Sequence, residues 1–175
     1  DKVAIITGGS RGIGFATADA FLREGAKVAV AASSEKNAEA AVEKLKAIHP
    51  DAEVVGISTN LGSFESVKEE FDKVEKQFGR IDILVNNAGV SESTPFTSYT
   101  EADFDRVIDL NVKGVFNATR AVVDGMIKNH SGVVLNTSSM VSISGQPSGF
   151  ADPASKFALN GTTISLAREL GPKGI

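Results

Sequence analysis

Apolar residues fall into short solid runs, separated by stretches in which they recur at helical spacing. The run Val3 to Ile6 has no polar position, as a strand buried on both faces requires. A glycine-rich turn follows, and then Ile13, Ala16, Ala20 and Phe21 mark the inner face of a helix that ends at Gly25-Ala26. Lys27 to Ala32 predicts a second strand. Glu35 to Ile48 predicts a helix with Ala38, Ala41, Val42, Leu45 and Ile48 inward, stopped by Pro50. Glu53 to Ile57 reads as a third strand. Ser63 is placed to cap a helix that carries Val67, Phe71, Val74 and Phe78 on one face and ends at Gly79. Ile81 to Val85 is a fourth strand. Thr100 to Leu110 predicts a short helix running almost directly into Asn111 to Asn129, whose expected inner face is Val112, Val115, Phe116, Val122, Val123 and Met126. Val133 to Asn136 is a fifth strand, and Asp152 to Leu170 the last helix. Asp152 before Pro153 suits an N-cap followed by proline at the first helical position. Gly171 to Ile175 reads as a helix stop and the first residue of a further strand.

Strands alternating with helices imply right-handed βαβ units. The expected fold is α/β, a doubly wound parallel sheet of Rossmann type in three layers, α/β/α, with residues 1–175 as one domain. A net charge of −4 gives no reason to expect nucleic acid or an anionic membrane as a partner. Cysteine is absent, so disulfides and thiolate metal sites are excluded. His49 and His130 lie in separate polar stretches and read as surface residues, so no metal site is expected. No apolar run is long enough to span a membrane, and the chain enters a strand at once with no visible signal peptide. A cytoplasmic location is the expectation.

Three stretches carry chemistry. Thr7-Gly8-Gly9-Ser10-Arg11-Gly12-Ile13-Gly14 joins a strand to a helix. Glycines there permit a sharp turn, a close approach of backbone to a pyrophosphate and tight helix packing, while the helix N-terminus offers free N–H groups to the phosphates. Asn86-Asn87-Ala88-Gly89 and Asn136-Thr137-Ser138-Ser139 follow the fourth and fifth strands, at the carboxyl edge where open α/β sheets bind ligands. A hydroxyl at Ser139 can polarise a carbonyl. Lys156 can hold ribose hydroxyls, and Asn111, at the join of two helices, can order a water. Each of these has a plain alternative as a turn, a cap or a surface residue.

In their order and spacing, the glycine turn, Asn86 to Gly89, Asn111, Ser139 and Lys156 resemble the short-chain dehydrogenase/reductase family over the whole chain, most nearly its bacterial hydroxysteroid dehydrogenases and 3-oxoacyl-carrier-protein reductases. The resemblance implies hydride transfer between a nicotinamide and an alcohol/ketone pair. It also implies a sheet of seven strands, so this chain would be truncated after the helix that follows strand 5. Cofactor contacts are implied for Gly8, Ser10, Arg11, Gly12, Ile13, Gly14, Ser33, Ser34, Asn60, Leu61, Asn87, Ala88, Gly89 and Lys156. Asn111, Ser139, residue 152 and Lys156 carry the implied catalytic roles. Homodimers or homotetramers, paired through the two long helices, are implied as well.

This sequence departs from the family pattern at its acid/base. The family has tyrosine four residues before the lysine, and here that residue is Asp152. A carboxyl, with an ordinary pKa near 4, accepts a proton at neutral pH but is a poor donor to a developing alkoxide. The only tyrosine, Tyr99, lies elsewhere in the chain. At the end of the second strand, Ala31-Ala32-Ser33-Ser34 lacks the acidic residue of NAD-preferring members, and with Arg11 this favours NADP over NAD. Asn60 stands where an aspartate is usual near the adenine. The expected function is an NAD(P)-dependent oxidoreductase of ketone or alcohol small molecules, impaired at Asp152. A non-catalytic dinucleotide-binding module is the alternative.

Overall fold

A computed structural model describes all residues, 1–175. Five strands form one parallel sheet: β1 (Val3–Thr7), β2 (Lys27–Ala32), β3 (Val54–Ser58), β4 (Ile83–Asn86) and β5 (Val133–Asn136), in the order β3-β2-β1-β4-β5. The helices are α1 (Gly12–Arg23), α2 (Glu35–Ile48), α3 (Phe64–Phe78), α4 (Glu101–Ile108), α5 (Gly114–Lys128), the short α6 (Val141–Ser144) and α7 (Ala151–Leu170).

Alternate residues of the central strands face opposite helical layers. Val3 and Ile5 of β1 and Leu84 of β4 meet Val67, Phe71 and Val74 of α3 and Ala118, Val122 and Met126 of α5. Ile6, Val28, Val30 and Val85 face the other way, onto Ala18 and Leu22 of α1 and Ala41 and Leu45 of α2. Both faces of the centre are therefore covered, which is why these strands contain no polar alternation. At the β5 edge the cover ends: Val133 and Leu135 are exposed.

Several local expectations are corrected. The inner face of α1 is Gly14, Ala18 and Leu22, and Ile13 is 71% exposed, because the glycine turn rotates the helix so that Gly14 rather than Ile13 meets the sheet. In α5 the buried stripe includes Val115, Ala118, Val122 and Met126, while Phe116 is 62% exposed on the opposite side. Sequence reading merged two apolar faces of this helix. His49 is half-buried and pairs with Asp19 at 2.7 Å, tying the end of α2 to α1. Asp152 does not cap α7: the helix starts at Ala151, places Asp152 in its first turn and buries it. Gly171–Lys173 is a 3-10 turn that stops α7, and the Ile175 N–H donates back to the Leu170 carbonyl. Thr100, expected as the first helical residue, instead caps α4 reciprocally with Asp103.

Candidate active site

The strand order reverses between β1 and β4, the switch point at which a crevice opens outside the carboxyl ends of the strands. A cleft of about 960 Å³ lies there, lined by Gly8 and Ser10 to Ile13 from the turn, Ala31 to Ser33 at the end of β2, Thr59 to Leu61 after β3, and Asn87 to Val90 after β4. Of the predicted cofactor residues, Ser34, Gly14 and Lys156 are outside that lining. The Ser34 hydroxyl accepts from the Asn37 N–H and caps α2. A side chain at Gly14 would overlap the Gly8 carbonyl, so this glycine acts by letting α1 press against the turn.

Asn87 locks the two walls together. Its amide group donates to the carbonyls of Thr7 at 3.2 Å and Gly8 at 3.3 Å, and the Asn87 and Ala88 N–H groups both donate to the Thr7 hydroxyl at 3.1 Å. The Asn60 amide oxygen already accepts from the Gly62 N–H at 3.0 Å. No acidic residue lines the cleft, and Arg11 is its one charged side chain.

The predicted catalytic residues lie around the ends of β4 and β5. A π-helical turn at Asp109–Lys113 interrupts the passage from α4 to α5 and carries Asn111, which is buried. Such turns recur at functional positions. The Asn111 side chain bonds both backbone groups of Val90 at 2.9 Å and donates to the Ser155 hydroxyl at 3.0 Å. Both amide hydrogens are thus engaged by the protein. Gly89 is the meeting point: a Cβ there would stand 3.2 Å from the Asn111 amide oxygen and 3.7 Å from the Lys156 ammonium.

Lys156 is half-buried and donates to the Thr137 carbonyl at 2.9 Å. Burial lowers its pKa from the ordinary lysine range, against the opposing charge of Asp152. Ser139 is exposed, and only the Val141 N–H reaches its hydroxyl oxygen, at 3.4 Å, so its hydrogen is free to donate. A hydroxyl donor, a cation and a buried carboxylate therefore surround one sheet edge. That set can polarise an oxygen, bind hydroxyls and accept a proton.

Sequence reasoning missed the groups that hold these residues. Ser138 donates to the Asn160 amide oxygen at 2.8 Å, Asn160 donates to Ser142 at 3.0 Å, and Ser142 donates to the Ser139 carbonyl at 2.6 Å. The signal was present as a polar stripe on α7, Asp152, Ser155, Lys156, Asn160 and Thr163, at helical spacing. Tyr99 is also nearer than its sequence position suggests. Its hydroxyl donates to the Glu92 carboxylate at 2.6 Å, and its ring meets Phe150, the residue before α7, edge-on with centroids 6.5 Å apart.

The profile of the family described as short chain dehydrogenase matches residues 2–175. The chain belongs to the short-chain dehydrogenase family. It is 50% identical over 171 residues to a 3alpha-hydroxysteroid dehydrogenase of Mediterraneibacter gnavus, a match covering 98% of this chain and 68% of that protein. It is 40% identical over 176 residues to a 3-oxoacyl-[acyl-carrier-protein] reductase of Staphylococcus epidermidis, covering 100% of this chain and 71% of the other. A solved structure of an NAD+-bound xylitol dehydrogenase superposes with a TM-score of 0.94 at 34% identity, covering 99% of this chain and 66% of that one. This chain therefore spans about two thirds of the length of these relatives. They are oxidoreductases of hydroxyl and oxo groups, and the family binds nicotinamide dinucleotides. No helix is long and apolar enough to cross a membrane.

Proposed function

We propose that the protein is a cytoplasmic short-chain dehydrogenase that binds NADP(H), and whose ketone/alcohol chemistry is impaired by Asp152. The observation that carries the cofactor reading is the cleft at the switch point, with glycine backbone on one side, Arg11 at its rim and no carboxylate in its lining. A 2′-phosphate finds a cation there and no like charge. Gly8, Ser10, Gly12 and Ile13 would hold the pyrophosphate, Ser33 and Arg11 the adenosine ribose phosphate, Asn60 and Leu61 the adenine, and Asn87 to Gly89 with Lys156 the nicotinamide ribose. The bound cofactor supplies or accepts hydride.

Ser139 would donate to the substrate oxygen. With Asp152 at the position of the family's acid/base, an alkoxide formed there would face a negative charge instead of a proton donor. Two unit charges about 4 Å apart repel by roughly 1–4 kcal/mol between bulk water and a protein surface. A missing acid adds about 3–5 kcal/mol to the barrier. Small ketones or secondary alcohols are the substrate class that the relatives' names suggest, and assembly as a homodimer or homotetramer is part of the same reading.

Dinucleotide binding, followed by titration, tests the first half of the reading. Asp152→Tyr tests the second and is expected to raise ketone reduction by about 10²-fold or more. Equal turnover by the aspartate and tyrosine forms would overturn the site assignment. The second reading, a dinucleotide-binding module without turnover, is favoured by the same Asp152, and predicts binding with no activity until the tyrosine is installed.

A further inference from the structure

Asp152 brings a buried negative charge to the edge where Ser139 and Lys156 stand. The residue is 5% exposed, and no group of the protein donates a hydrogen bond to its carboxylate. Its neighbours are engaged elsewhere: the Ser155 hydroxyl donates to the Asp152 carbonyl at 2.7 Å, and the Lys156 ammonium to the Thr137 carbonyl at 2.9 Å. The partnerless side-chain atoms sealed from solvent belong only to Arg80 and Asp82, so the Asp152 oxygens keep what exposure the residue has. The carboxylate has no donor from the protein and faces the Lys156 ammonium only through its charge, so a cationic N–H on a ligand is a group it can accept from. Asp152 and Lys156 are one helical turn apart on the same face of α7, and the Lys156 ammonium reaches Gly89 at the cleft wall.

We propose that this protein reduces iminium ions, the protonated form of imines, in preference to ketones. The proposal rests on the dinucleotide-binding reading above. When hydride from a reduced nicotinamide reaches a ketone carbon, the π pair moves to oxygen, and the alkoxide needs a proton that Asp152 does not supply. When it reaches the carbon of C=N⁺–H, the π pair moves to nitrogen and cancels its positive charge. A C–H bond forms, the C–N π bond breaks, the nicotinamide is oxidised by two electrons, and the product is a neutral amine. No proton has to be delivered in that step. The carboxylate acts before it: an anion beside a basic nitrogen favours its protonated form, which is the strong hydride acceptor. A tyrosine at this position would serve the ketone, and an aspartate serves the iminium. Met140 and Ile143, close in sequence to Ser139, and Phe150, before α7, are exposed, so the C=N group is expected on an apolar skeleton.

The test has a binding arm and a turnover arm. Tyr99 is the only tyrosine in a chain without tryptophan and sits against Phe150 at the start of α7, so its fluorescence reports on this end of the site. Binding of 2-methylpyrrolidinium, followed by that signal or by calorimetry, needs no dinucleotide. It is expected to weaken about 10-fold or more in Asp152→Asn, the loss typical of a charge-assisted contact, and to persist in Asp152→Glu. In the turnover arm, reduction of 2-methyl-1-pyrroline with NADPH is expected to exceed that of cyclopentanone by about 10²-fold in kcat/KM, the size of one well-placed electrostatic contact, and Asp152→Tyr is expected to reverse the order. Ammonium binding that ignores the charge at position 152 overturns the proposal. So does a dinucleotide-loaded protein that reduces the ketone as well as the imine, or reduces neither. Failure to bind any dinucleotide overturns the functional reading instead, and the ammonium arm still decides the role of Asp152.

Discussion

Replacing Asn111 by alanine separates a structural pin from a water relay. The side chain makes three hydrogen bonds: two amide donations, to the Val90 carbonyl and the Ser155 hydroxyl, and one acceptance from the Val90 N–H. Each is worth about 1 kcal/mol net. Alanine removes all three and strands the Ser155 hydroxyl, which is fully buried and already donates to the Asp152 carbonyl. The expected loss of stability is therefore about 3 kcal/mol, and greater where no water replaces the amide. For a chain of this length that corresponds to a fall in Tm of roughly 6–12 °C. Thermal unfolding followed by circular dichroism without dinucleotide reads it directly. Asn111→Asp, nearly the same size, is expected to fail almost as badly, because it has no N–H for Val90 or Ser155. A shift under about 2 °C for alanine, with lost turnover, would refute the pin and return the residue to a relay role.

Other outcomes follow from the same geometry. NADPH is expected to bind more tightly than NADH at fixed ionic strength, with Ser33→Asp reversing the order, and equal or tighter NADH binding in the parent protein would refute the assignment of Arg11 and Ser33. Burial, and then the hydrogen bond to Glu92, raise the Tyr99 pKa above its ordinary value near 10, so its phenolate absorbance should appear late in an alkaline titration and earlier in Glu92→Gln. Because the folded value is the higher one, the stability from this phenol is complete below the unfolded pKa and is lost as pH rises through the folded one. Val112 of the π-helical turn and Phe116, Val123 and Ile127 of α5 line a groove of about 550 Å³ against Leu166 of α7. Self-association through this face is expected, and Phe116→Asp should shift light scattering toward monomer. A parent protein already monomeric at every concentration would exclude it.

The order of elements was readable because the strands are buried on both faces and the helices carry period-3.6 stripes, two signals that do not overlap. What failed were helix rotations. Ile13 looked like a core residue because it is apolar and falls in register with Ala16 and Ala20, but the backbone of the glycine turn, not hydrophobicity, decides which side of α1 meets the sheet. Phe116 was placed inward because α5 has two apolar faces, and a single sequence cannot say which one touches β4. The glycine turn and the stretch after β4 were legible for a different reason: close backbone approach leaves a residue-type signature, as at Gly8, where a Cβ would stand 2.9 Å from the Ala88 Cα. Asp152 is the most instructive case. Asp-Pro is a strong local signal for a cap, yet Phe150 takes the cap position, Ala151 is already helical and the Asp152 side chain is drawn inside. Local propensity lost there to the packing of Phe150 against Phe96, Tyr99 and Phe104, which extends α7 backward past its expected start. A residue that would have stood at a solvated helix end is largely buried instead, with its charge facing Lys156.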